Sequence, residues 1–217
     1  MNRKPLRVVK LGGSLLGYDQ LREQLSAWLH LQPTMTTVLI VGGGPLVDAI
    51  RRLDAVHGLG DAAAHWAAID ALGVTARVVA ELFPEFALVD ELADIESRQD
   101  HTMIVDVSQV LRDNGAECEL PWSWDVTSDS IAAWVAQATR SDELVLLKSD
   151  LLRAGHDLEK LAAEGYVDAY FPRAASDLEC KLRLVNLRDA GFAEEQIRLG
   201  HVPVLGRVPP ARVEGDP

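Results

Sequence analysis

Two short apolar runs, each stopped by glycines and followed by a helix-spaced stretch, constrain this chain more than any other feature. In the first, Val8 and Val9 lie between Leu6 and Leu11, and Gly12-Gly13 follow at once. β-Branched residues in an unbroken apolar run favour a strand buried on both faces, and adjacent glycines end it in a tight turn. Leu21, Leu25, Trp28 and Leu29 then recur at helical spacing within 18–31, with Asp19 the expected cap and Pro33 the stop. The second unit repeats the form: Val38-Leu39-Ile40-Val41, then Gly42-Gly43-Gly44-Pro45, then a helix with Leu46, Ile50 and Leu53 on one face.

The remaining chain continues the alternation. Residues 61–83 are alanine-rich and spaced for a long helix, 86–89 read as a short strand, 90–98 as an acidic helix, and 102–107 as the next strand with Val110-Leu111 continuing it. A loop holding Pro121, Trp122 and Trp124 precedes a helix face marked by Ile131, Val135 and Ala138, and 143–148 is another continuous apolar strand. A helical patch is expected over 157–164. Leu178, Leu182, Val185 and Leu187 predict a helix over 176–190, and 197–199 and 202–205 read as short strands before a polar tail. Unbroken apolar strands alternating with helices predict an α/β protein, a three-layer α/β/α sandwich with a mostly parallel central sheet, in one domain over 1–217. Ligands of such sheets bind at the carboxyl ends of the strands, where both glycine turns and Asp150 fall.

Composition narrows the partners. With 217 residues and 48% hydrophobic content the chain can bury one substantial core. Its 21 basic against 33 acidic residues leave a net charge of −12, which argues against nucleic acid or an anionic membrane and makes any anion site a local one. Cys118 and Cys180 are too few for a disulfide framework, and 1–5 lead into no apolar signal core or span. The expectation is a cytoplasmic protein with reduced thiols.

Lys10 stands at the mouth of the first strand, beside the bare amides of Gly12 and Gly13. An ammonium next to such amides makes a concave donor site suited to phosphate oxygens, although the same residues also read as a lysine snorkelling beside an ordinary turn. Familiar phosphate motifs do not apply. The third glycine of a dinucleotide fingerprint would fall at Val47, neither glycine cluster carries the Gly-Lys-Ser/Thr ending of a P-loop, and no His-x-x-x-His pair or nucleophile elbow is present.

Taken in order, Lys10-Leu11-Gly12-Gly13-Ser14, Val41-Gly42-Gly43-Gly44 and Val126-Thr127-Ser128-Asp129-Ser130-Ile131-Ala132-Ala133 resemble the three signatures of the amino acid kinase superfamily, over about 6–204. That superfamily includes aspartokinases, acetylglutamate kinases, uridylate kinases and isopentenyl phosphate kinases. The resemblance implies an ATP-dependent phosphotransferase in which Lys10 bridges the transferring phosphate and Gly12, Gly13, Ser14, Gly43 and Gly44 bind phosphate oxygens. It makes Asp129 the residue that orients catalytic lysines, and matches Lys181 to the second lysine on the nucleotide side. The family's glycine pair and methionine ahead of that lysine are replaced here by Ala174-Ala175-Ser176-Asp177. Its Asp-Val-Asp-Gly nucleotide segment appears as Lys148-Ser149-Asp150-Leu151, which places Lys148 and Asp150 at the nucleotide.

The compact length and the Pro121-Trp122-Ser123-Trp124-Asp125 loop look most like the small branch containing the (aminomethyl)furanmethyl phosphate kinase of methanofuran biosynthesis, whose acceptor is a phosphomonoester. Gly42, Asp48, Arg51, Arg52 and His65 are the candidate acceptor ligands. Against that, Asp48 also reads as an ion-pair partner of Arg51 or Arg52 on an exposed helix, His57 and His65 as structural histidines, and Trp122 and Trp124 as packing residues. The resemblance further implies Mg²⁺ with ATP as co-substrate and a homodimer or other homo-oligomer. Kinases of an amino-acid carboxylate or of UMP, and a non-catalytic nucleotide-binding protein like the molybdenum-storage members, are the alternatives.

Overall fold

The computed structural model describes residues 4–98, 101–114, 118–150, 157–189, 191–192 and 194–197. Its centre is a seven-stranded sheet. In chain order the strands are β1 (Leu6–Leu11), β2 (Thr36–Val41), β3 (Ala87–Val89), β4 (Thr102–Val105), β5 (Glu143–Lys148), β6 (Lys181–Asn186) and β7 (Glu194–Ile197), arranged β3-β4-β2-β1-β5-β6-β7. The first six run parallel, and β7 closes one edge antiparallel to β6. The helices are α1 (Leu21–His30), α2 (Gly44–His57), α3 (Asp61–Leu82), α4 (Leu92–Ser97), α5 (Val107–Asp113), α6 (Ser128–Ala138), α7 (Leu158–Ala163) and α8 (Phe171–Ser176).

Why the runs in β1, β2 and β5 are unbroken follows from the layers. Alternate side chains of a strand point to opposite faces, and here both faces are covered. Leu6, Val8, Val38, Ile40, Leu144 and Leu146 pack under α6 with Ile131 and Val135, whereas Val9, Leu11, Leu39, Val41, Val145 and Leu147 pack on the other side with Leu21, Leu25 and Trp28 of α1. The middle of α3 serves the first core through Ile69 and Leu72, and its carboxyl-terminal part serves the second through Ala76 and Val79. This is the three-layer sandwich expected from sequence. Among the described residues no helix is long and apolar enough to cross a membrane.

Several local expectations need correction. The apolar spacing of 176–190 does not make a helix: α8 ends at Ser176 and Lys181–Asn186 is strand β6, paired with β5 from Glu143↔Lys181 to Lys148↔Asn186. Leu182 and Leu184 alternate with the half-buried Arg183, a period-two pattern that the pairing selects over the helical one. Nor does the strand at 102–107 continue through Val110. It stops at Val105, and Val107, Val110 and Leu111 lie on α5, whose start is capped by Asp106 accepting from the Ser108 amide. Gln20, not Asp19, precedes α1, with no side-chain cap. Of the terminal strands, Ile197 closes β7, while 198–205 lie outside the described residues.

Candidate active site

The carboxyl ends of β1, β2 and β5 open into a cleft of about 720 Å³. Its floor is made by the two glycine turns, which interlock backbone to backbone. A Cβ on Gly13 would stand 2.3 Å from the amide nitrogen of Gly44, and one on Gly44, whose φ is +52°, would stand 2.5 Å from the Gly13 carbonyl oxygen. Only glycine fits either position. The Gly12 amide donates to the Leu147 carbonyl at 2.9 Å and the Gly42 amide to the Leu11 carbonyl at 2.9 Å, so these two extend the sheet and do not serve a ligand. Gly43 and Gly44 are the cap and first residue of α2, whose amides have no intrahelical acceptor and carry the positive end of the helix dipole. Gly13 opens the 3-10 turn Gly13–Gly17 in the same way. Of the amides expected from sequence to bind phosphate, those of Gly13, Gly43 and Gly44 take no part in the sheet.

Above this floor three charged side chains meet. Lys10 on β1 and Lys148 at the end of β5 both close on Asp129, in the first turn of α6. Lys10 Nζ is 2.9 Å from Asp129 Oδ1, and Lys148 Nζ donates to the two carboxylate oxygens at 3.0 and 2.9 Å. Lys148 also donates to the Tyr166 carbonyl at 2.6 Å and lies 5.3 Å from the centre of the Tyr166 ring. Burial by itself would push the Asp129 carboxyl up, but the two ammoniums outweigh it and hold the group down at about 2. Burial, and less strongly the like charge of Lys10, bring the Lys148 ammonium down to about 8 against the pull of Asp129. The trio by itself carries a net +1, which the carboxylate of Asp168, facing both Asp129 and Lys148, offsets.

Asp129 is itself held from outside its helix. Thr127, the cap residue of α6, makes no side-chain cap bond. Asp168, on the segment joining α7 to α8, accepts instead from the Thr127 amide at 3.0 Å, the Thr127 hydroxyl at 2.9 Å, the Ser130 amide at 2.9 Å, and the Ser130 hydroxyl. Burial and the facing Asp129 push its carboxyl up, while the Ser130 and Thr127 donors pull the other way.

The other expected residues divide. Ser14 Oγ meets Ser149 Oγ at 2.7 Å, joining the turns after β1 and β5, and both residues line the cleft with Asp150. His65 is buried on α3, its Nδ1 3.4 Å from the Ser123 carbonyl, and burial lowers its basicity. Asp48 and Arg51 line the same end of the cleft, exposed and 3.6 Å apart, and the Arg51 guanidinium stacks 4.7 Å from the centre of the Trp124 ring. Trp124 in turn donates its Nε1–H to Asp54 at 2.7 Å. Its neighbour Trp122 is half exposed and packs edge-on to Trp66, away from the cleft. Arg52 and His57 are exposed on α2 and do not line it.

Lys181 is not at the site. It is exposed at the amino end of β6, level with Glu143, so the length of β5, about 16 Å at 3.3 Å per residue, separates it from Lys148. The second ammonium on Asp129 is that of Lys148. One signal marks both lysines, a basic residue near the carboxyl end of an unbroken buried strand. Asp168 and Tyr166 carried no such signal, because neither spacing nor pattern ties 166–168 to Asp129.

A sequence profile of the amino acid kinase family matches residues 5–150. No curated protein matches the chain. Among solved structures it is similar to UMP kinase from Ureaplasma parvum, with 16% identity over 88% of this chain and 93% of that one and a TM-score of 0.59. Uridylate kinase from Archaeoglobus fulgidus gives 13% identity over 82% and 89%, with a TM-score of 0.58. Aspartate kinase from Synechocystis gives 13% identity over 82% of this chain but 38% of that one, with a TM-score of 0.56. At these identities the structures speak for the fold, and the profile speaks for the family.

Proposed function

The chain belongs to the amino acid kinase family, and from that premise we propose that it transfers the γ-phosphoryl group of ATP to a small phosphomonoester, giving a diphosphate. The observation that carries the reading is the convergence of Lys10 and Lys148 on Asp129 in the cleft that the paired glycine turns also line. Phosphoryl transfer needs in-line positioning and stabilisation of charge on the transferring oxygens, and little covalent chemistry from the protein. The amides of Gly13, Gly43 and Gly44 supply fixed donors, and the two ammoniums, held by Asp129, supply positive charge in a largely buried setting. An oxygen of the acceptor phosphate attacks the γ-phosphorus, the bond from that phosphorus to the β,γ-bridging oxygen breaks, and ADP leaves with the electron pair.

The acceptor class follows from the state of Asp129. A carboxyl held at about 2 and bound by two lysines is a poor base for a hydroxyl. A nucleophile that arrives as an anion needs no base, and a phosphomonoester, with a second pKa near 6, is largely a dianion at neutral pH. On the β2 side of the cleft, across β1 from the β5 end that carries Asp150, Arg51 offers a planar fork suited to such a group. UMP, the substrate named for two of the similar structures, is itself a phosphomonoester. The acceptor proposed for this chain is smaller, a phosphate ester of a primary alcohol of the kind used by the (aminomethyl)furanmethyl phosphate kinase of methanofuran biosynthesis.

Mg²⁺ enters with ATP, as part of the substrate. Among the described residues no three His, Cys, Asp or Glu side chains converge on a point. Mg²⁺ commonly draws its ligands from substrate phosphates and water, so the ion fits as one carried on the nucleotide. The test is ADP release with saturating Mg²⁺-ATP across phosphomonoesters, amino acids and UMP. Transfer to no acceptor, with tight nucleotide binding, would favour the non-catalytic reading.

A further inference from the structure

Asp129 has to hold two ammoniums in register with a transferring phosphoryl group, yet it stands on the first turn of a helix that lacks a cap of its own. The first turn is where a helix frays most readily, because its amides have no intrahelical partners. In this chain the missing cap comes from a segment about 40 residues further on. Asp168 takes hydrogen bonds from the backbone and the hydroxyl of Thr127 and from the backbone and the hydroxyl of Ser130, the residues flanking the Ser128-Asp129 pair. Two positions earlier on the same segment, the Tyr166 carbonyl accepts from Lys148. One short stretch of chain thus grips both the support of Asp129 and the lysine that Asp129 binds.

We propose that Asp168 is a positioning residue for phosphoryl transfer: its carboxylate fixes the first turn of α6, and with Tyr166 it sets where Asp129 and Lys148 stand over the glycine turns. The catalytic consequence rests on the kinase reading above; the clamp itself rests on geometry alone. Two features separate this role from ordinary helix capping. The carboxylate bonds on both sides of the orienting aspartate rather than at one end of the turn. It also lies half-buried and facing Asp129, an arrangement of two carboxylates that desolvation and repulsion disfavour and that is sustained here by the four donors and the nearby lysine. A cap needed only for stability could be any local serine or aspartate at Thr127, with no second carboxylate facing Asp129.

The charges facing Lys148 are Asp129 from α6, Lys10 from β1, and Asp168 from the segment after α7. Removing the Asp168 charge therefore acts on Lys148 directly as well as through geometry. Asp168→Asn keeps the shape and an acceptor oxygen but loses the charge. Its kcat should fall tenfold or more, since a misplacement of about 1 Å can cost roughly a hundredfold, with KM for ATP within about threefold. The alkaline limb of its kcat/KM profile should move to lower pH by about half a unit, because Lys148 has lost one of its anions. Ser130→Ala removes one donor and no charge. It should lower kcat severalfold and leave the alkaline limb in place, and it serves alone should Asp168→Asn fail to fold. In parallel, ¹³C-lysine-labelled protein without nucleotide, with the Lys148 signal assigned by its loss in Lys148→Arg, should titrate at lower pH in Asp168→Asn than in wild type. That arm is independent of turnover: a wild type that phosphorylates nothing sinks the kinase reading but leaves the clamp to be judged by the titration. Wild-type kcat in Ser130→Ala, or an unmoved Lys148 titration in Asp168→Asn, overturns the role even where thermal stability falls.

Discussion

Gly13 and Gly44 cross so closely that neither can carry a side chain: the Cβ of an alanine at 13 would sit 2.3 Å from the Gly44 nitrogen, well inside contact distance. The two turns therefore form one surface, and the position of each amide depends on the other. Gly44→Ala adds a second penalty, since a φ of +52° costs an alanine about 1–2 kcal/mol. Both Gly13→Ala and Gly44→Ala should lower the thermal midpoint and reduce turnover at least a hundredfold, measured on the folded fraction. Gly58→Ala, at another positive φ but in open space, should cost stability without touching turnover.

The lysines give the cleanest contrast. Lys10→Ala and Lys148→Ala each remove one ammonium from Asp129 and should depress kcat by about 10²–10³, the cost of losing one preorganised donor to a developing charge. Lys181→Ala, at the far end of β6, should stay within about twofold of wild type. Steady-state kinetics on the three variants decides the matter, and a large loss in Lys181→Ala would require that residue to reach the cleft from another chain.

That contrast also marks what a sequence like this can and cannot convey. The strands β1, β2 and β5 were legible because a parallel sheet covered on both faces demands unbroken apolar runs, and the glycine turns because close backbone crossing tolerates nothing else. β6 was not. Leu178, Leu182 and Val185 fit a helix as well as Leu182 and Leu184 fit a strand, and only pairing with β5 chooses between them. The error moved Lys181 with it, from the amino end of a strand to a helix facing the nucleotide. Val107, Val110 and Leu111 failed in the opposite sense, a helical spacing absorbed into the preceding strand. Asp168 was out of reach altogether, since its partners lie 38 and 41 residues away.

Asp129 makes a prediction in which stability and rate part company. Its carboxyl lies at about 2 in the folded chain against 3.8 as the ordinary value. A folded pKa below the unfolded one contributes stability that is fully present above about pH 4 and is lost as pH falls toward 2, here about 2 kcal/mol. Asp129→Asn should forfeit that contribution, flatten the acid-unfolding curve between pH 4 and 2, and leave the two ammoniums without the carboxylate they share, so its stability at pH 7 should drop by a few kcal/mol. Its ATP affinity should stay within a few fold while kcat falls about a hundredfold, because the aspartate acts on where the lysines stand in the transition state. Chemical denaturation, nucleotide binding and turnover on one preparation separate the three effects.

Lys148 sets an upper pH limit. With its ammonium at about 8, the positive charge that the kinase reading sets against the transferring group is lost as pH rises through that value. The kcat/KM for ATP, which reports the free protein, should therefore decline above about pH 8, whereas kcat, measured with phosphates bound beside the lysine, should hold to higher pH. Lys148→Arg, charged throughout, should lose the limb while retaining less activity than wild type, because a planar guanidinium cannot reproduce the contacts of the compact ammonium with Asp129 and the Tyr166 carbonyl.

The acceptor itself is the sharpest test. A carboxylate and a phosphate dianion both satisfy a site whose central aspartate cannot take a proton, so the choice falls to the far end of the cleft. There Arg51 is held between the Trp124 ring and Asp48, and Trp124 is held by Asp54. A guanidinium stacked in this way is already oriented for two-point contact with phosphate oxygens, and less of its rotamer freedom is lost on binding. An amino acid would bring an ammonium next to that same guanidinium, a like-charge contact that Asp48, exposed and already paired, relieves only in part. A phosphomonoester of a small primary alcohol should accordingly outrun aspartate and glutamate, and by the resemblance to the small branch it should also outrun UMP, with saturating Mg²⁺-ATP. Arg51→Lys should raise KM for the acceptor about tenfold and leave KM for ATP unchanged. Should UMP or a free amino acid be the better substrate, the acceptor reading falls while the family and the phosphoryl-transfer site stand.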